Sequence, residues 1–203
     1  MPDISTSHPS SPPFTHLRLH TEFSISDGLV TIQPLIERLQ DFKMPAAAIT
    51  DASNLFGLIK IYSSAIKSGI KPICGCDVPV VNDDGVHTQL VLLVKNQMGY
   101  LNLTNIISDL YTEAESHGDP LLKIGKLAGR TEGLIALSGA QKSDIGSALI
   151  NNENALAKSL LQTWQQLFPD SFYLELQRVG KVDEENYIEA AVNLAIAVQC
   201  PVV

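Results

Sequence analysis

The sequence predicts an α/β fold with mostly parallel strands, and three observations lead there. Short apolar runs of strand length alternate with segments of helical period along nearly the whole chain, and polar residues gather where those runs end. No Gly-x-Gly-x-x-Gly follows the first run, so the strand count favours a barrel over an open dinucleotide-binding sheet. The chain stops at PVV, on an apolar run, so the expected barrel is incomplete at its C-terminal end.

Each element has its own signal. Residues 14–28, FTHLRLHTEFSISDG, alternate polar and apolar up to an Asp-Gly turn and predict the first strand. Thr31 is placed to cap a helix with Pro34 in its first turn, and Leu35, Ile36, Leu39 and Phe42 fall on one face. PAAAIT at 45–50 reads as a buried strand that delivers Asp51. Leu58, Ile61, Tyr62, Ala65 and Ile66 mark a second helix, which Gly69 stops. Residues 71–81 predict an irregular or edge strand because Gly75 and Pro79 interrupt them. NDDG at 82–85 predicts a hairpin turn, QLVLLV at 89–94 a strand covered on both faces, and 98–111 a helix. After a polar loop at 113–120 come a short helix over LLKIGKLAG, a strand over GLIALS at 133–138, and helices near 144–150 and 153–167. A strand at 172–177, a helix at 184–198 and the start of one more strand at 201–203 complete the pattern.

Composition narrows the function. The 203 residues suffice for one well-buried domain, and 45% hydrophobic with 18% charged residues is ordinary for a soluble globular protein. A net charge of -8 without a basic run argues against direct grip on DNA, which requires neutralising phosphates. Cys74, Cys76 and Cys200 form neither a disulfide framework nor a zinc knuckle, and read as buried thiols in a reducing compartment. No run of about 18 apolar residues could span a membrane. Residues 1–13 lack a signal-peptide core and read as a disordered leader, with 14–203 forming the domain, so a cytoplasmic protein without membrane partners is expected.

The first strand carries the chemistry. Residues two apart on a strand share a face, so His16, Arg18 and His20 should point together, with Glu22 and Asp27 close behind. Unpaired charge in an apolar core costs several kcal/mol (roughly 3–5). The row therefore predicts a polar pocket at the strand ends, where His20, Asp51, Asp77 and the turn at Ser138 and Gly139 also fall. Asp51 has two compatible roles, capping the segment near Asn54 or facing the pocket.

FTHLRLHTEFSISDG, ITDASNLFG, IKPICGCDV, LVLLVKNQMGYLNL, GLIALSG and FYLEL, in this order and spacing, resemble the PHP (polymerase and histidinol phosphatase) domain that opens the alpha subunit of bacterial DNA polymerase III. The resemblance runs from Phe14 to the last residue. It implies a distorted (β/α)7 PHP-type barrel at the front of a much longer polymerase, with the polymerase and DNA-holding domains beyond Val203.

Metal-binding members of this family hold a cluster of divalent ions through a His-x-His pair, an Asp-His pair, an acidic residue and further His and Cys ligands, and metal-bound water attacks a phosphoester. This sequence departs from that pattern. Arg18 replaces the first His of the pair while His20 remains; Asp27 and Asp51 are kept; Ala52 replaces the partner His. Asp77 is the acidic residue, Gln89 stands for a His with His87 displaced by two positions, and Ala140 stands for the Cys. Imidazole and thiolate hold transition metals, and a guanidinium cannot. His20, Asp27, Asp51 and Asp77 alone make a weak metal site, so no metal and no catalytic residue is expected here. Arg18 is expected to stand in for the metal charge and to pair with at least one of Asp27, Asp51 and Asp77.

The resemblance thus implies a catalytically degenerate scaffold that docks the proofreading exonuclease subunit and braces the polymerase core, meeting DNA only through the missing domains. The alternative is a metal-dependent phosphoesterase, a 3′-5′ exonuclease or pyrophosphatase carrying zinc or manganese. A fragment without an independent role is the third reading.

Overall fold

The computed structural model describes residues 14–82, 85–112 and 120–203. The leader at 1–13, most of the polar loop at 113–120 with His117, and the tip of the hairpin at 83–84 lie outside the described residues.

The strands are β1 (Ala46–Ile49), β2 (Lys71–Val81), β3 (His87–Val94), β4 (Leu122–Lys123), β5 (Leu134–Leu137) and β6 (Phe172–Tyr173). The helices are α1 (Ile32–Asp41), α2 (Leu58–Lys67), α3 (Gln97–Thr112), α4 (Asp144–Ile150), α5 (Asn154–Leu167) and α6 (Glu184–Val198). Among the described residues they build one six-stranded sheet in the order β1-β2-β3-β5-β6, with β4 beside the end of β2.

The strands are mostly parallel, as expected, with β3 the one that runs against the rest. β1 and β2 are parallel, as are β5 and β6, but β3 runs antiparallel to both β2 and β5. The cause is local: a turn closed by Gly85 N–H on the Asn82 carbonyl folds β3 straight back onto β2. The sheet is not closed into a barrel. Its borders are irregular segments, His16 bridging Ala47 in front of β1 and Val202 bridging Leu174 behind β6.

Two layers of core follow from side-chain alternation. Cys76, Val78 and Val80 of β2, Leu90 and Leu92 of β3, and Ala136 of β5 point to the helical side, where α3 to α6 cover them with Leu103, Ile106, Leu161 and Trp164. Ile36 and Leu39 of α1 and Ile61 and Ala65 of α2 cover the same side of β1 through Ala47 and Ile49. The opposite, concave face collects Ala48, Val91, Leu93 and Leu137 with Leu17, Ile73, Ile135 and Tyr173. That face is apolar at one end and polar at the other, where β1, β5 and β6 terminate.

Three local expectations change. The first run is not a regular strand: Leu17 packs on the concave face while Leu19 packs against the α1 and α2 side. Residues two apart on a straight strand could not do this. It bridges β1 at His16 and ends in a 3-10 turn at Glu22–Ser24. Phe42 leaves the core face of α1 and lies exposed beneath Arg38, whose guanidinium carbon stands 5.8 Å from the ring centroid. LLKIGKLAG forms β4 and a 3-10 turn at Ile124–Leu127 rather than a helix. No helix among the described residues is long and apolar enough to cross a membrane.

Candidate functional site

The polar end of the concave face is organised around Arg18. The irregular opening segment aims this side chain across the sheet, and every partner comes from a different element. Its Nε and one terminal nitrogen donate to Asp77 Oδ2, the former at 3.0 Å. That terminal nitrogen also donates to Gln89 Oε1 at 3.0 Å. The other terminal nitrogen donates to Glu175 Oε2 at 3.3 Å and to the Gly139 carbonyl at 3.4 Å. Arg18 thus ties β2, β3, the turn after β5 and the segment after β6 together, from side chains only 14% exposed for Arg18, 2% for Asp77 and 6% for Glu175.

Alternation along the strands explains why these residues meet. Ile73 and Asp77 share the concave face of β2, and Gln89 shares that of β3 with Val91 and Leu93. Tyr173 and Glu175 do the same beyond β5. Gly139 has φ +82, and a Cβ there would lie 2.4 Å from the Gln89 carbonyl oxygen. A glycine is what allows this turn to press its carbonyl against Arg18.

His20 extends the cluster outward. Its Nε2 lies 3.0 Å from Asp77 Oδ2 and its Nδ1 3.1 Å from Asp27 Oδ2. The hydrogen bond to Asp77, with the charges of Asp77 and Asp27 behind it, raises its pKa above the usual 6.5 against the opposing effect of burial and of Arg18. Burial holds the Glu175 carboxyl above its ordinary range even though Arg18 pulls it down. Asp77 Oδ2 takes all three of these donor contacts, while buried Asp77 Oδ1 has no hydrogen-bond partner among the described residues.

The structure therefore brings Arg18, His20, Asp27, Asp77 and Gln89 together and leaves the other expected residues out. His16 is exposed, with its ring edge-on to Phe14 at 4.9 Å. Glu22 is exposed on the 3-10 turn. Asp51 is buried but bound elsewhere: its oxygens accept from Thr21 N–H at 2.6 Å, from the Thr21 hydroxyl and from the Ser24 hydroxyl at 2.8 Å. It clamps the turn and does not meet Arg18 or cap the segment at Asn54. Ala52 bridges Asp77 through the backbone, and its N–H donates to the Ser24 hydroxyl. Ala140 is buried in the helical core, in a 3-10 turn at φ 54.

Glu175 is the participant that sequence reasoning missed. The signal was available in FYLEL, where a lone carboxylate interrupts an apolar strand two residues after Tyr173. The three cysteines are free, with Cys76 and Cys200 buried and Cys74 half-buried. Burial alone pushes the Cys74 thiol up to about 11. Among the described residues, no three His, Cys, Asp or Glu side chains converge in a way that could hold a metal ion.

A family model for the PHP domain matches residues 16–179, which takes in the whole Arg18 cluster. The chain belongs to the PHP domain family. Within it, the DNA polymerase III subunit alpha of Pseudomonas aeruginosa is 44% identical over 192 residues, covering 94% of this chain and 16% of that protein. The subunit alpha of Escherichia coli K12 is 42% identical over 196 residues, covering 96% of this chain and 17% of its own length. The PHP domain described here therefore spans about one sixth of the length of these relatives. Among solved structures, an amidohydrolase from Chromobacterium violaceum, with bound sulfate and no metal, superimposes with a TM-score of 0.61 at 14% identity over 93% of this chain and 84% of that one. A Bifidobacterium adolescentis protein described as a metal-dependent phosphoesterase gives 0.59 at 14% identity over 96% and 86%. These two share the fold of this PHP domain.

Proposed function

We propose that this chain is the PHP domain of a replicative DNA polymerase III alpha subunit, that its hydrolytic centre is degenerate, and that it acts as a scaffold. In this reading it docks the proofreading exonuclease subunit and braces the polymerase core in the cytoplasm. DNA is held by other domains of the longer protein. The observation that carries the proposal is the Arg18 guanidinium at the middle of the polar cluster, bonded to Asp77, Glu175 and Gln89.

A permanently cationic, non-coordinating group at that position does not fit a divalent cluster, because it occupies the carboxylates such ions would need and repels them. Ala52, Gln89 and Ala140 supply no imidazole or thiolate in its place. The positive charge does instead what bound ions would do for the fold, compensating two buried carboxylates. The same reading takes the curled sheet as the larger part of a distorted (β/α)7 barrel. Its support is the concave face, where Leu17 of the opening segment, Tyr173 and Val203 line one groove of about 710 Å³.

Two measurements test the proposal. The chain should form a complex with its cognate exonuclease subunit at micromolar concentration, and no detectable complex there sinks the docking role. Metal analysis of purified protein should find zinc and manganese far below one equivalent. Near-stoichiometric metal, with phosphoester hydrolysis that chelation abolishes, would establish the phosphoesterase reading instead.

A further inference from the structure

Helix α2 is apolar on two faces, and only one of them meets the core. Ile61 and Ala65 are buried against β1, whereas Ile59, Tyr62 and Ile66, three and four residues apart, are 79%, 56% and 54% exposed. At 100° per residue these three form one outward stripe. Apolar ridges of this kind on a soluble domain mark interaction surfaces.

The ridge stands between two grooves. On one flank a groove of about 280 Å³ is lined by Leu58, Ile59, Tyr62, Pro72, Cys74 and Tyr100, enough room for one or two large apolar side chains. On the other flank, towards α1, a wider groove of about 560 Å³ runs past Lys60, Ser63 and Ser64 to Pro34 and Glu22.

Charge around the ridge departs from that of the molecule, Glu22 being the one carboxylate among the described residues that lines either groove. The chain holds 22 acidic residues against 14 basic ones, yet residues 52–76 contain Lys60, Lys67 and Lys71 and not one Asp or Glu. Residues 96–108, which bring Tyr100 to the first groove, again hold no carboxylate. Helical geometry sets Lys60 and Lys67 side by side along the edge of the stripe that faces α1. Lys60 Nζ lies 4.9 Å from the centre of the Phe23 ring, which keeps its charge beside the ridge.

We infer that the outer face of α2 is the docking surface for a partner protein segment that carries apolar anchors flanked by carboxylates. Resting on the docking role proposed above, the inference places the contact and states the chemistry of what binds there. Apolar anchors would fill the groove beside Tyr62, and acidic side chains would meet the lysine row, setting register and association rate more than net affinity.

The test is binding of the cognate exonuclease subunit to the 203-residue chain by calorimetry at two ionic strengths, with Tyr62→Glu and the double variant Lys60→Glu/Lys67→Glu. All three side chains are solvent-facing, so unchanged circular dichroism and unfolding midpoints are expected for both variants. We expect at least tenfold weaker binding for each, and weaker binding of the unsubstituted chain at high salt. A complex that tolerates both variants overturns this placement while leaving the docking role intact. Absence of any complex with the unsubstituted chain sinks the docking role and the placement together. Binding lost in Tyr62→Glu but untouched by the lysine reversal or by salt refutes the acidic character of the partner.

Discussion

Arg18 gives two of its nitrogens to one oxygen of Asp77, and His20 reaches the same oxygen from the other side. Two cationic or potentially cationic groups thus converge on a carboxylate that is 2% exposed, with a second buried carboxylate, Glu175, on the far side of the guanidinium. Arg18 is thus the cation that the two buried carboxylates share.

Removing it should show this. Arg18→Ala leaves Asp77 and Glu175 buried without their counter-charge, and breaking such a set costs about 3–5 kcal/mol. Equilibrium urea unfolding should report a loss of that order. Arg18→Lys should recover only part of it, since one ammonium cannot reach Asp77, Gln89 and Glu175 together. A change below about 0.5 kcal/mol for the Ala variant would contradict the central role given to Arg18.

Protonated His20 should contribute a pH-dependent share of stability. Its pKa in the folded chain lies above the unfolded value of 6.5, so the bonus is fully present below 6.5 and disappears as pH rises through the folded value. Proton NMR of the imidazole should locate that titration above 6.5. Asp77→Asn removes the largest cause of the shift and should bring it back down, and His20→Gln should flatten the corresponding part of the stability-pH curve.

Asp51→Ala tests the turn clamp separately. Thr21 N–H and the Thr21 and Ser24 hydroxyls would lose their buried acceptor, at a cost of about 3 kcal/mol. Hydrogen exchange should report faster opening of residues 20–25, while the His20 titration stays where it was. A displaced His20 titration would mean that Asp51 belongs to the Arg18 cluster after all.

The thiols should be unreactive in the folded state. Cys76 and Cys200 are buried, and the half-buried Cys74 thiol is pushed up to about 11. Alkylation by iodoacetamide at pH 7.5 should therefore be slow in buffer and consume three thiols in denaturant, as read by intact mass. Rapid native labelling of Cys74 would show that its thiolate is far more accessible than its position implies.

Much of this is legible in the sequence alone. The helical periods announced α1, α2, α3, α5 and α6, and apolar runs announced β1, β3 and β5, because burial of one face imposes a repeat that local sequence must carry. The identity of Arg18, Ala52, Gln89 and Ala140, none of them an imidazole or a thiol, is likewise written in single positions. So is the pairing of Arg18 with one of Asp27, Asp51 and Asp77, since a buried guanidinium requires a carboxylate nearby, though not which of the three.

What the linear order could not state is which partners lie across the sheet. Glu175 meets Arg18 over a separation of 157 residues, and Asp51, an equally plausible partner on paper, is taken by Thr21 and Ser24 instead. The opening run was expected to face His16, Arg18 and His20 one way. A twist between Leu17 and Leu19, each claimed by a different core, sends His16 to solvent and Arg18 inward. Residue types and periods therefore determined the class of fold and which side chains the site has to work with. Packing across the concave face decided the contacts of the site, because hydrogen-bond partners are chosen by proximity in space and alternation along neighbouring strands, neither of which a single strand's sequence encodes.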